Sequence, residues 1–249
     1  MIFVTGDTHS DVTRLSTKNF PEQKHLTKDD FVIILGDFGL IWDKDKESGY
    51  EKYWLDWLDG KPFTTLFIDG NHENFDRLNA MPVRQWHGGQ VHEIRPSVLH
   101  MMRGEVFELQ GKTFFTFGGG KTHDILDGIL SPSDKTLIRR YRKFHKQFRI
   151  EHQSWWKEEL PSDSEMEYGI ENLAGYSFRI NYILTHSPSV GQKIRLCDNE
   201  QELPDVLMTY LEKLETLTFY DHWFFAHMHE DRRLDMKNTC IYEKNIRIE

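Results

Sequence analysis

Ile2-Phe3-Val4-Thr5-Gly6-Asp7-Thr8-His9 is a short β-prone run that breaks at a glycine and then delivers an acid and an imidazole two residues apart. Four residues are too few for a helix and suit a buried strand. The same arrangement recurs along the chain. Phe31–Leu35 leads into Gly36-Asp37, and Thr65–Ile68 leads into Asp69-Gly70-Asn71-His72-Glu73. Tyr182–Leu184 leads into Thr185-His186, and Trp223–Phe225 leads into Ala226-His227-Met228-His229. Five strands thus end in side chains that ligate metals. In open α/β sheets ligands bind outside the carboxyl ends of the strands, so the five ends are expected to converge. Gly6, Gly36 and Gly70 stand just before the ligands, where the chain turns sharply or is closely approached. In extended backbone residues i and i+2 point the same way. Asp7 with His9, and His227 with His229, are therefore expected to face one cavity.

Outward from these stretches, Phe114–Phe117 reads as another strand, and Gln90–Leu109 as further strands closed by a Gln110-Gly111 turn. Tyr50, Tyr53, Trp54, Trp57 and Leu58 repeat at helical spacing, as do Leu203, Leu207, Tyr210, Leu211 and Leu214. Strands alternating with helices imply a layered α/β fold. The sequence reads as a single domain over residues 1–249. Residues 131–175 are polar, helix-prone and interrupted by Pro161-Ser162, and are expected to form a helical insertion on its edge. Tyr141, Phe144 and Phe148 are expected to form one helical stripe there, packed onto the domain.

A chain of 249 residues can bury a real core without disulfides, and its aromatic residues should carry much of that core. The net charge of −9 argues against a nonspecific nucleic-acid binder. Lys135, Arg139, Arg140, Arg142, Lys143, Lys146 and Arg149 nevertheless form an island free of acids, which is either a solvated face or a contact for an anionic substrate. Nucleic acid is accordingly a partner left open and not favoured. Cys197 and Cys240 form no Cys-x-x-Cys pair and are read as reduced thiols. The start at Ile2-Phe3-Val4 lacks the pattern of a signal peptide, and no apolar run is long enough to span a bilayer. The expected setting is cytoplasmic, with no membrane partner; the sequence carries no signal for oligomeric state.

The donors at the strand ends are Asp7, His9, Asp37, Asn71, His186, His227 and His229. Carboxylate, imidazole and amide oxygen without thiolate suit Mn²⁺ first, with Fe and Zn²⁺ as alternatives. A single catalytic zinc takes about three protein ligands. Seven donors are too many for one ion and fit two divalent ions sharing a bridging carboxylate.

In their order and spacing, Asp7-x-His9, Gly36-Asp37, Gly70-Asn71-His72-Glu73, His186 and His227-x-His229 resemble the calcineurin-like metallophosphoesterases of bacterial or phage type. The resemblance implies a β-sandwich flanked by helices with a dinuclear centre at one end. By position, it implies that Asp7, His9, Asp37 and His229 hold the first ion, and that Asp37 bridges to a second completed by Asn71, His186 and His227. It implies hydrolysis of a phosphomonoester or phosphodiester by a metal-bridging hydroxide. His72 would protonate the leaving oxygen, and Asn71 would also donate to a phosphate oxygen. Leu40 stands where the family's second motif carries an Asp that orients the catalytic His; Asp43 and Glu73 are the acids nearest in sequence to substitute. The Arg of the protein-phosphatase version is absent there, and Ala226 replaces a Gly.

Two other motifs nearly match. Gly118-Gly119-Gly120-Lys121-Thr122 resembles the end of a P-loop, but Phe115 occupies the place of its first Gly. The expected role of this stretch is a tight turn bringing His123 and Asp124 to the rim of the cavity. His72-Glu73 begins a zinc-protease pattern that Asp76 breaks. The alternative from another class is a noncatalytic metal-binding interaction module of the same fold. Loss of ligands would favour it, and none of the candidate donors is missing.

Overall fold

The structure, a computed structural model, describes residues 1–197 and 203–248. The first half builds one sheet. Its strands are β1 (Ile2–Thr5), β2 (Phe31–Leu35), β3 (Thr64–Ile68), β4 (Val83–Trp86), β5 (Gly89–Arg95) and β6 (Val98–Met101). The helices α1 (Gly49–Asp59) and α2 (Phe75–Leu78) lie among them. β7 (Glu105–Leu109) and β8 (Lys112–Phe117) open a second sheet, and then β9 (Ile129–Leu130), α3 (Lys135–Lys143) and β10 (Arg149–Ile150) form an excursion. α4 (Asp163–Gly175), β11 (Arg179–Thr185), α5 (Val190–Leu196), α6 (Val206–Leu217) and β12 (Phe219–Phe225) continue the second sheet and its cover. The short strands β13 (Arg232–Arg233), β14 (Asn238–Cys240) and β15 (Ile246–Ile248) end the chain.

The first sheet runs β15-β1-β2-β3-β6-β5-β4 and the second β13-β14-β12-β11-β8-β7. β1, β2, β3 and β6 are mutually parallel, as are β8, β11, β12 and β14, so each sheet gathers several carboxyl ends on one side. Alternation along the strands separates three layers of core. Val4, Ile33, Leu35 and Ile68 meet Phe114, Leu184 and Phe224 between the sheets. Phe3, Val32, Ile34 and Phe67 turn outward onto Leu55 and Leu58 of α1. Phe115, Ile183, Trp223 and Phe225 turn outward onto Leu173, Leu207, Leu211 and Leu214. The result is a mixed α/β sandwich of two sheets flanked by helices, as expected from the resemblance. Both faces of the central strands are buried, which is why they read as unbroken apolar runs.

Two local readings need correction. The helix expected to begin near Leu203 starts at Val206, where the Asp205 carboxylate accepts from the Met208 amide at 2.8 Å; Leu203 lies outside it, exposed. The stripe of Tyr141, Phe144 and Phe148 does not form on one helix. α3 stops at Lys143, leaving Phe144 61% exposed, and Phe148 returns after a turn to meet Tyr141 edge-on. Within 131–175, α3 packs with Leu130 and Ile150 in a small cluster of its own, whereas α4 lays Leu173 into the core over the second sheet. No helix among the described residues is long and apolar enough to cross a membrane.

Candidate metal centre

Side chains from β1, β2 and β3 of one sheet and from β11 and β12 of the other meet at one end of the sandwich. Asp7, His9 and His229 form one group, and Asp37, His186 and His227 a second; His72 lies with His9 and Asp37. The Asp37 carboxylate stands between the two groups. Its Oδ2 is 3.7 Å from His9 Nε2, and its Oδ1 is 3.4 Å from His186 Nε2. Asn71 is buried beside the second group. All eight residues singled out in the sequence are therefore brought together.

They are not presented by plain strand alternation. His9, Asp37, His227 and His229 have φ of 43°, 45°, 65° and 52°, a left-handed backbone that non-glycine residues adopt at a cost. Tight local bonding holds these turns. The Thr8 and His9 amides both donate to the Asp37 carbonyl, at 3.2 and 2.7 Å, and the His227 amide donates to Asp7 Oδ1 at 3.1 Å. Strain of this kind persists where the surroundings over-determine it, and it concentrates at functional sites. Arg14 braces the first turn from outside by donating to the Asp7 carbonyl at 2.8 Å, and the Tyr242 ring stacks on His229 at 4.6 Å.

The donor atoms fit cations. Asn71 Oδ1 is buried without a hydrogen-bond partner, and the buried Asp7 Oδ2 has the His229 imidazole beside it. His229 Nε2 is 3.0 Å from Asp7 Oδ2 and His9 Nε2 lies 3.1 Å from that same imidazole nitrogen, so the three donor atoms lie close enough together to share one cation. The His227 Nδ1 and His186 Nε2 atoms also face each other at 3.1 Å. His186 Nδ1 lies 2.7 Å from the Leu35 carbonyl, which requires the proton on Nδ1 and leaves Nε2 as the donor turned to the group. Burial raises the Asp7 carboxyl, but His186, His229 and His227 outweigh it and hold it down at about 2. Burial keeps the His227 imidazole well below its ordinary value. Both groups thus favour the deprotonated forms that bind metal.

His72 is half-buried against Trp42 and edge-on to His9. Burial lowers its imidazole, with Asp37 opposing and His9, Arg149 and His186 adding to the effect. Among the described residues no carboxylate hydrogen-bonds its ring. Leu40 is a core residue in the cluster under the first sheet. Glu73, one of the two expected substitutes, is fully buried and accepts from the Phe38 and Gly39 amides at 2.7 and 3.4 Å. It holds the turn after Asp37, and burial pushes its carboxyl well above the usual range. Asp43, the other, is exposed.

Residues outside the five motifs also reach the site. The turn after β8 carries His123 to 3.1 Å from His227 Nε2, and Asp124 accepts a two-point ion pair from Arg149. Thr122 and Glu159 lie behind Asn71. The glycine run after a strand marked the turn in the sequence, but nothing there marked Glu159.

No curated protein matches the chain. The calcineurin-like phosphoesterase model, however, matches residues 1–231, a span holding every residue of both groups. With that match, the two-sheet sandwich and the clustered metal donors, the chain belongs to the calcineurin-like phosphoesterase family, whose members are in general metal-dependent phosphoester hydrolases.

Proposed function

We propose that this chain hydrolyses phosphomonoesters or phosphodiesters with a dinuclear centre in which Asp37 is shared. The observation that carries the reading is the position of Asp37, with one carboxylate oxygen toward each group of donors. Asp7, His9 and His229 would complete the first site, and Asn71, His186 and His227 the second. The donor set favours Mn²⁺, with Fe or Zn²⁺ as alternatives. Two such ions, when bound, acidify the attacking water and neutralise charge on the phosphoryl group.

The chain's own residues supply the rest. Asp37 and Asp7 provide the negative charge that holds cations at the strand ends. His72, beside Trp42, would give a proton to the leaving oxygen, a contribution of about 10²–10⁴-fold in such systems. The Asn71 amide nitrogen is turned toward Thr122, which leaves its oxygen for the cation. A reducing compartment such as the cytoplasm suits the buried Cys240 thiol, which burial pushes up to about 12. The full complement of donors argues against the noncatalytic module.

The test is metal content and turnover of wild type and Asp37→Asn on nitrophenyl monoesters and diesters. Wild type should hold two ions per chain, and the variant should lose most metal and nearly all turnover. Wild type with one ion, or a variant with full metal and rate, overturns the shared-carboxylate reading.

A further inference from the structure

The turn after β8 packs on three of the donors assigned to the second site, Asn71, His186 and His227. Thr122 Oγ1 lies 3.4 Å from Asn71 Nδ2 and donates to Glu159 Oε2 at 2.6 Å. Since the hydroxyl proton is spent on the carboxylate, its oxygen is left to accept from an amide NH₂. Asn71 is thereby held with its nitrogen toward Thr122 and its oxygen, buried and without a hydrogen-bond partner, toward the donor group. Glu159 is itself fixed by the Thr122 amide at 3.1 Å and by Trp155 Nε1 at 2.9 Å.

His123 Nε2 stands 3.1 Å from His227 Nε2, while His227 Nδ1 faces His186. An acceptor at that position draws the His227 proton to Nε2 and leaves the Nδ1 lone pair for the cation, as the Leu35 carbonyl does for His186 from the other side. Gly120 completes the cradle. A Cβ there would meet His186 Cδ2 at 2.9 Å, Asn71 Oδ1 at 3.0 Å and His227 Cε1 at 3.3 Å. The backbone is thus packed directly on all three side chains. The Gly119 carbonyl also accepts from Ser187, next to His186, and its amide donates to the Asp69 carbonyl.

We infer that the segment Gly119–His123, anchored by Glu159, is a positioning device for the second metal: Thr122 sets the orientation of the Asn71 amide, and His123 sets the tautomer of His227. This rests on the dinuclear reading above. It makes occupancy of the second site separable from that of the first, through residues that touch no cation. Partners of ligands in this position are worth about 10- to 100-fold in metal affinity.

The experiment titrates Mn²⁺ into metal-stripped wild type, Thr122→Val, Thr122→Ser and His123→Ala, read by calorimetry and by the EPR spectrum of the bound ion. Wild type should take up two equivalents and show an exchange-coupled pair. Thr122→Val and His123→Ala should bind the first equivalent as wild type does and the second about 10- to 100-fold more weakly, with a mononuclear spectrum at limiting metal. Thr122→Ser should restore the wild-type curve, because it keeps the hydroxyl. His123 is exposed, so its variant tests the idea even if the buried Thr122→Val fails to fold. Two unchanged equivalents in His123→Ala and in any folded Thr122→Val overturn the inference alone. So does equal weakening of both equivalents with a lower melting point of the metal-free protein. A wild type that takes up only one ion overturns the dinuclear reading, and the role of the turn with it.

Discussion

Gly36 and Gly70 stand where no side chain fits: a Cβ on the first would run into the His186 ring, and one on the second into the Asp37 carboxylate. The candidate ligands are therefore positioned as much by what their neighbours lack as by what they contribute. Leu40 makes the converse point. It occupies the place of an orienting acid in the second motif, but its side chain is in the core, so His72 relies on packing against Trp42 and His9 for its direction. The expected consequence concerns acid catalysis. His72→Ala should keep both metals while kcat falls by about 10²–10⁴-fold on an alkyl ester, whose leaving group needs a proton. With nitrophenolate as leaving group the loss should shrink to a small factor. Equal losses on the two substrates would show that His72 serves binding or metal retention instead.

At the scale of elements, the strand ends were legible because each candidate ligand follows a short apolar run by a few residues, and both signals are local. The same locality explains the misreadings. Alternation suggested how Asp7 and His9 would point, but the turn is left-handed and held by the Asp37 carbonyl from another strand. Thr122 and Glu159 are 37 residues apart and meet only through the fold. The edge strands β4 and β15, of four and three residues, are too short to announce themselves. A pairing between β5 and β6 has a measurable consequence of its own. His92 and His100 sit opposite each other, stacked, with their Nδ1 atoms 2.9 Å apart, and His100 Nε2 lies 3.1 Å from Asp69. Burial, with His100 adding and Asp69 opposing, holds His92 at about 4 against an ordinary 6.5. The unfolded chain therefore takes up a proton between those values that the folded chain refuses, so this contribution to stability is full above pH 6.5 and lost as pH falls toward 4. At about 1.36 kcal/mol per unit, the effect is at most about 3.4 kcal/mol, and solvent screening reduces it. His92→Gln should be less stable at pH 7 yet flatter across that window in urea denaturation. Parallel wild-type and variant profiles would rule the imidazole pair out as the source.

For the molecule as a whole, the centre lies where two sheets end, and each group of donors draws on both. Asp7 and His9 follow β1 of the first sheet, while His229 follows β12 of the second; Asp37 and Asn71 follow β2 and β3, while His186 and His227 follow β11 and β12. A cation in either group would therefore tie one sheet to the other. It would also satisfy Asp7 and Asp37, two carboxylates at 0% and 2% exposure whose own partners are mostly imidazoles. A ligand that binds only the folded state stabilises it by RT ln(1 + [L]/Kd), which at saturation is about 1.4 kcal/mol for each tenfold rise in concentration and each ion bound. For a chain of this size 1 kcal/mol moves the melting point by about 2–4 °C. Chelation should therefore lower Tm, and titrating Mn²⁺ back should raise it by about 3–5 °C per decade if one ion is released on unfolding, or about 6–10 °C per decade if two are. The steeper slope is expected for wild type and the shallower one, or none, for Asp37→Asn. A wild-type Tm indifferent to both chelator and metal would mean that the sheets hold together at this end without cations, and that the clustered donors are stable as they stand.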